Sequence, residues 1–250
     1  MIVLISPAKT LDYSSSEVSI SSQPQFQKEA RELAGIMKKK SAQSIQKLMG
    51  VSENLAALNE ERYKHFVDEY TRENAKQALL AFKGDVYMHI DVDSFTEEDF
   101  NFAQEHLRIL SGLYGLLRPM DLIQPYRLEM GTQLKTKKGS NLYDYWGKKI
   151  ADSINTISDG QPVVNLASKE YFKAVDRKAL KSRIIHPVFK EFKSGTYKNI
   201  GIFSKQARGM MTDFIIKNKL TDPEKLKTFQ KAGYEYAENK STSDEWVFIR

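Results

Sequence analysis

The chain of 250 residues contains no cysteine. That absence removes a disulfide framework, a thiolate nucleophile and every Cys-based zinc or iron-sulfur centre. Histidine is scarce too: His65, His89, His106 and His186 are scattered without ligand spacing and read as surface or capping residues. No apolar run approaches the roughly 20 residues needed to cross a bilayer, so no membrane partner is expected. Ile2–Ile5, four apolar residues after Met1 with no basic flank, is too short for the apolar region of a signal peptide, and a cytoplasmic location is expected. P-loop, GxGxxG, HExxH, EF-hand and GxSxG patterns are all missing. The acidic cluster Asp91, Asp93, Glu97, Glu98 and Asp99 offers oxygen ligands but lacks the glycine and terminal glutamate of a calcium loop. Neither a metal nor a cofactor is therefore expected.

What is present is enough apolar sequence, 41%, for a substantial core, and an uneven charge. Residues 1–125 hold 14 Lys and Arg against 18 Asp and Glu, whereas residues 126–250 hold 24 against 14. A basic second half suits an anionic partner, although a lysine-rich solvated surface gives the same sum.

Ile2–Ile5 reads as a strand covered on both faces. Residues 13–24 are a serine-rich loop, and Phe26, Ala30, Leu33, Ile36 and Met37 recur at helical spacing up to Lys38–Lys40. Helices flank Met49-Gly50-Val51. Another is expected from Thr71, with Ala75, Ala78, Leu79 and Phe82 on one face. Thr96 and Asp99 mark a helix start leading through Phe100, Ala103, Leu107 and Leu110. Ser111–Gly131 reads as a structured loop, Tyr143–Ile154 as a helix and Pro162–Leu166 as a buried strand. Ile184–Phe192 and Thr196–Phe203 form an expected hairpin through Lys193-Ser194-Gly195, followed by a helix over Ala207–Leu220 and a strand at Trp246–Ile249. With no repeat and no linker, residues 1–250 are expected to form a single compact domain of α/β, mixed α+β, class.

Two patterns suggest anion binding. In the segment of residues 41–62, a hydrophobic-Gly-hydrophobic turn joins two helical stretches, with Ser52 placed to cap the second. In a helix-hairpin-helix such a turn brings backbone N–H groups close to a phosphate without reading bases. Lys47, Gly50, Val51 and Ser52 are its candidate phosphate-binding residues, and an ordinary helical hairpin uses glycine in the same way. The second pattern is a set of cations beside Gly, Pro or small residues: Lys9, Arg118, Arg127, Lys169, Lys173, Lys205 and Arg208. Arginine presents a planar fork for phosphate, and together the set suggests a basic cleft. Structural ion pairs with Asp12, Asp121, Glu129 or Glu170 are the competing explanation.

The segments Ser6-Pro7-Ala8-Lys9-Thr10-Leu11-Asp12, Phe82–Tyr87, Leu110–Pro119, Gln124–Gly131, Asn165-Leu166-Ala167-Ser168 and Lys205–Met211 together resemble the YaaA family of bacterial peroxide stress resistance proteins. The resemblance runs along the whole chain. It implies a cytoplasmic protein that limits iron-dependent damage by peroxide, an unusual α/β fold with a helix-hairpin-helix, a basic cleft, and sequence-tolerant binding of double-stranded DNA. Carried onto this chain, the hairpin falls on Leu48–Ser52 and the cleft on Lys9, Arg118, Arg127, Lys205 and Arg208, while Lys169 stands at a variable position. Without cysteine, direct peroxide chemistry through a thiolate is excluded. An enzyme acting on a phosphorylated small molecule or nucleotide is the alternative, with Asp12, Asp85, Tyr114 or Tyr126 as acid-base groups. A binding role is preferred to an enzymatic one. A third reading, sequestration of iron by the chain itself, lacks clustered His or Glu-x-x-His ligands.

Overall fold

A computed structural model describes residues 1–250. Strand β1 (Ile2–Ile5) is apolar at every position and buried throughout, as a strand covered on both faces requires. The short β2 (Thr10–Leu11) follows. Helix α1 (Gln27–Lys38) buries Ala30, Leu33, Ala34 and Met37 along one stripe. Helix α2 (Ala42–Met49) is capped by Ser41 and α3 (Glu53–Lys64) by Ser52; Gly50 joins them in the left-handed region at φ 61°.

The helix expected from Thr71 is not formed. Its place is taken by β3 (Lys76–Gln77), the single turn α4 (Ala78–Ala81) and β4 (Phe82–Lys83). The Ala78 and Leu79 amides donate to the carbonyls of Asp121 and Pro119, and β4 pairs with β2. Long-range pairing thus overrides local helix propensity. Helix α5 (Glu97–His106) opens with the expected capping box of Thr96 and Asp99 but stops at His106. Leu107 and Leu110, expected on that helix, belong instead to β5 (Leu107–Ser111), which is buried at all five positions and bonded to β1. The segment read as a loop carries β6 (Gly115–Leu117) and β7 (Leu122–Ile123).

The helix expected over Tyr143–Ile154 is divided at Gly147 into α6 (Leu142–Trp146) and α7 (Lys149–Ser158). Strand β8 (Val163–Asn165) and helix α8 (Lys169–Phe172) precede the expected hairpin of β9 (Ile184–Lys193) and β10 (Thr196–Lys198). β10 ends earlier than Phe203, because α9 (Gly201–Lys217) begins at Gly201. Strands β11 (Glu235–Tyr236) and β12 (Glu245–Ile249) complete the chain.

The main sheet is ordered β11-β12-β9-β8-β1-β5-β6, with β10 added on β9. β1 runs parallel to both β5 and β8, and β9 runs parallel to β8. The carboxyl ends of β1, β5 and β8 therefore open along one edge, where loops of α/β sheets form ligand crevices. β9 is longer than β8: Val164 pairs with Ile185 and Asn165 ends β8 level with His186, so the residues after His186 project past that edge. One cluster of 63 buried residues reaches from Met1 to Phe248.

Helix α9 lies against the turn at Tyr87–His89 so closely that a Cβ on Gly209 would stand 2.1 Å from the Val86 carbonyl oxygen. Gly209→Ala is therefore expected to destabilise the protein by about 1–3 kcal/mol through overpacking. Gly35→Ala in α1, where nothing lies within 4 Å, should stabilise it by about 0.5–1 kcal/mol. Urea unfolding midpoints of the two variants check both signs.

Candidate functional site

The loop that leaves β1 is held from three sides. The Tyr87 hydroxyl donates to the Ser6 carbonyl at 2.9 Å, the Ser168 amide donates to Ser6 Oγ at 2.8 Å, and Ala8 packs against Gly84. These interactions join the loop to the turn before residue 90 and to the end of β8. They also fix where Lys9 emerges. Its Nζ stands 2.6 Å from Glu129 Oε2, while Arg127 Nη2 binds the other oxygen of the same carboxylate at 2.9 Å. One anion thus holds two cations, and a positive charge is left over.

Arg127 is only 16% exposed, and its Nε is buried with no hydrogen-bond partner. A buried guanidinium N–H without an acceptor is costly, and an incoming oxyanion would relieve that cost. Its carbonyl accepts from the Tyr63 hydroxyl at 2.9 Å, which ties the end of α3 to this segment. Arg62, the preceding residue of α3, is half-buried and forms no ion pair. Burial lowers its guanidinium pKa, the neighbouring Tyr13 and Tyr63 phenols oppose that shift, and the charge of Arg127 reinforces it. Sequence reasoning missed Arg62, which sits in a charged helix end with no Pro or Gly beside it.

On the other flank, the Glu170 carboxylate accepts from the Gly131 amide at 2.9 Å, and its carbonyl accepts from the Tyr143 hydroxyl at 3.1 Å. This links α8 to the Arg127–Gly131 segment. Beside α8 lies a hollow of about 560 Å³, bounded by Lys169, Lys173, Arg177 and Lys178 with Tyr143 and Phe172. Lys173 Nζ sits 4.6 Å from the Tyr143 ring centroid, and Arg177 lies 5.8 Å from Phe172. The one carboxylate in its lining, Asp176, accepts from the amides of Lys178 and Ala179. The four cations form no salt bridge, so the hollow is positive. Arg177 and Lys178 were missed in the sequence, although Lys169, Lys173 and Arg177 recur every four residues there.

Lys205 and Arg208 share one face of α9, three residues apart. Lys205 pairs with Asp85 at 3.2 Å, with both groups exposed. Arg208 is half-buried, has no carboxylate partner, and has its pKa lowered by burial. Arg118 stands elsewhere. It follows β6, level with Arg108 by the register of β5 and β6 and away from the edge where Lys9 emerges. There it binds the buried Asp121 at 3.0 Å and the Gln23 carbonyl at 3.1 Å. Lys47, Gly50 and Ser52 are exposed at the far end of α3, about 15 Å along its axis from Arg62 and Tyr63; Val51 is half-buried between them.

A groove of about 850 Å³ passes Asp12, Lys83 and Tyr87 and is mixed in charge, lined by Lys76 and Lys83 together with Asp12, Glu17, Asp91 and Asp93. Of the acid-base candidates, Tyr114 is fully buried and Tyr126 is 5% exposed. Burial pushes both phenols well above their ordinary pKa. Asp12 is kept ionised by the Ser14 amide and by Lys83 at 2.9 Å. Asp85 faces Lys205. The two phenols are thus held far from proton transfer near neutral pH, and both carboxylates are paired with a lysine. No group of three or more His, Asp or Glu side chains is arranged to hold a metal ion, and no helix is long and apolar enough to cross a membrane.

A family model described as peroxide stress protein YaaA matches residues 1–240. A UPF0246 protein of Acaryochloris marina is 50% identical over 251 residues, a match that covers the whole of both chains.

Asp121 also accepts from the Ser22 hydroxyl and the Arg118 amide, so it stays partly satisfied when the guanidinium is removed. Arg118→Ala should cost about 1–3 kcal/mol by weakening the partnering of a buried carboxylate. The double variant Arg118→Ala/Asp121→Asn should recover part of that loss in thermal unfolding. Recovery would identify the arginine as a structural partner.

Proposed function

Because the chain belongs to the family of peroxide stress protein YaaA, and so has a role in peroxide stress, we propose that it does this work in the cytoplasm as a sequence-tolerant binder of double-stranded DNA. The observation that supports this reading best is the hollow beside α8, with four unpaired cations. The Glu170–Gly131 hydrogen bond ties the helix beside it to the segment that carries Arg127, whose neighbour Glu129 also holds Lys9. A duplex carries closely spaced phosphates, and a surface of this kind neutralises several at once without reading bases. On α9, Arg208 without a carboxylate partner and Lys205 beside Asp85 are further candidate phosphate contacts.

The α2–α3 hairpin adds a second phosphate-binding element. Ser52 Oγ accepts from the Leu55 amide, which leaves the earlier amides of α3 beside Gly50 and Val51 for a phosphate, with Lys47 alongside. Glu53 in the same turn opposes this, so the hairpin binds more weakly than the hollow. Covering DNA in this way keeps iron-generated oxidants from the backbone, which is the physical route by which binding limits peroxide damage.

The hollow is also large enough for a phosphorylated small molecule or nucleotide. Calorimetric titration with nucleotides separates that reading: saturable tight binding of a nucleotide that DNA does not displace favours the enzyme.

Duplex binding should weaken steeply with salt. Arg127→Ala and Lys173→Ala should each reduce the slope of log K against log salt by about 0.9 for every phosphate that the variant no longer neutralises. Fluorescence anisotropy on a short duplex at several salt concentrations measures this. An unchanged slope in the double variant would show that the hollow takes no part in binding. In a nicking assay with ferrous iron and peroxide, the native protein should protect plasmid DNA more than that variant does.

A further inference from the structure

Beyond the sheet edge, β9 carries a surface that duplex binding leaves unused. Side chains alternate along a strand, so His186, Val188, Lys190 and Phe192 share one face, and Tyr197 of β10 lies directly opposite Phe192. Phe192 is 61% exposed, an unusual position for phenylalanine. Tyr197 braces it edge-on, with ring centroids 5.2 Å apart and an interplanar angle of 60°. Lys240 Nζ lies 5.2 Å from the Tyr197 ring. On this face Lys190 and Lys240 form no salt bridge, whereas Lys193 and Lys198 share the opposite face with Glu191. Glu191 points to the opposite face, where Arg250 and the Tyr234 hydroxyl bind it. By the register with β12, the neighbouring positions on this face are Glu245 beside His186, the buried Val247 beside Val188 and Ile249 beside Lys190, with Glu235 of β11 next to Ile249, so the acidic side chains lie at the His186 end and on the far side of β12, away from Phe192 and Tyr197.

This face is continuous with the basic hollow. Phe172, which lines the hollow, packs edge-on against His186 at 5.4 Å, and Arg177 lies over Phe172. From His186 to Phe192 the face runs about 20 Å. It leads from a group of free cations, past His186 and Glu245, to an exposed aromatic ring with Lys190 and Lys240 near it.

We infer that this face of the β9–β10 hairpin binds unpaired nucleotides, with Phe192 stacking on a base and the lysines neutralising the strand that leads to it. The charge selects a polyanion, and the ring selects one with accessible π faces. A duplex hides its base faces inside the helix, whereas a single strand offers them. The aromatic pair sits one step behind a tip made of Ser194 and Gly195, so the hairpin presents a polar end and an apolar side. That arrangement suits lateral stacking better than insertion into a lipid layer. The inference rests on the nucleic-acid reading of the hollow and adds a preference for DNA in which a duplex gives way to a single strand.

The test compares a short blunt duplex with the same duplex carrying an oligo(dT) tail, by fluorescence anisotropy on the full-length protein. The tail should tighten binding at least about five-fold, the lower end of what one stacked base contributes. Phe192→Ala should abolish that gain and leave blunt-duplex affinity unchanged, and Phe192→Trp should retain it. Because Phe192 is largely exposed, neither variant should disturb folding. A native protein indifferent to the tail, a Phe192→Ala variant that keeps the gain, or an abasic tail as effective as oligo(dT) would each overturn the inference. Binding of the tail without binding of the blunt duplex would support the hairpin's role while removing the duplex reading.

Discussion

Strand β1 is paired on both edges by parallel neighbours and covered on both faces, and the arrangement of charge depends on that burial. A central parallel strand cannot end in solvent on its own; its carboxyl end opens between the ends of its neighbours. The loop Ser6–Lys9 is therefore fixed by Tyr87 and Ser168, residues distant in sequence. Segments that bring Arg127, the cations around α8 and those of α9 meet around it. The second half of the chain carries the excess of positive charge, and the fold directs part of it to this edge.

The cations are not equivalent once folded. Arg118 is engaged by a buried carboxylate of its own, and its charge serves to hold the segment after β6. Lys9 and Arg127 share one carboxylate, which orients both without neutralising both. Arg62, Lys173, Arg177 and Arg208 have none. Charges that fold without partners carry a desolvation cost that grows with their burial, and an anionic ligand returns that cost as affinity. The half-buried arginines are thus better prepared for phosphate than the exposed lysines of helix surfaces.

Much of the fold was legible where the signal is local. β1 announces itself by four consecutive apolar residues, α1 by its stripe, α5 by its capping box and the β9–β10 hairpin by Ser194-Gly195. The errors lie where distant pairing decides. Residues 76–83 have a helical pattern but are drawn into ladders with residues 10–11 and 122–123, and Leu107–Ser111 leaves α5 to pair with β1. At the site, Lys9 and Arg127 could be picked out because Pro and small neighbours restrict their loops. Glu129, named as a competing partner, proved to be the carboxylate they share. Arg62 and Arg177 could not be told from solvated charge, since what distinguishes Arg62 is burial without a partner and what distinguishes the exposed Arg177 is its place over Phe172 without one. Both are properties of the assembled surface.

The central claim is that the guanidinium groups at this edge receive phosphate. Nitrogen-15 NMR of the arginine Nε–H groups during titration with a short duplex observes them directly. The account predicts that the Arg127 and Arg208 signals move saturably with DNA while that of Arg118, already bound to Asp121, stays in place. Saturable DNA binding with the Arg127 and Arg208 signals both unmoved would contradict it.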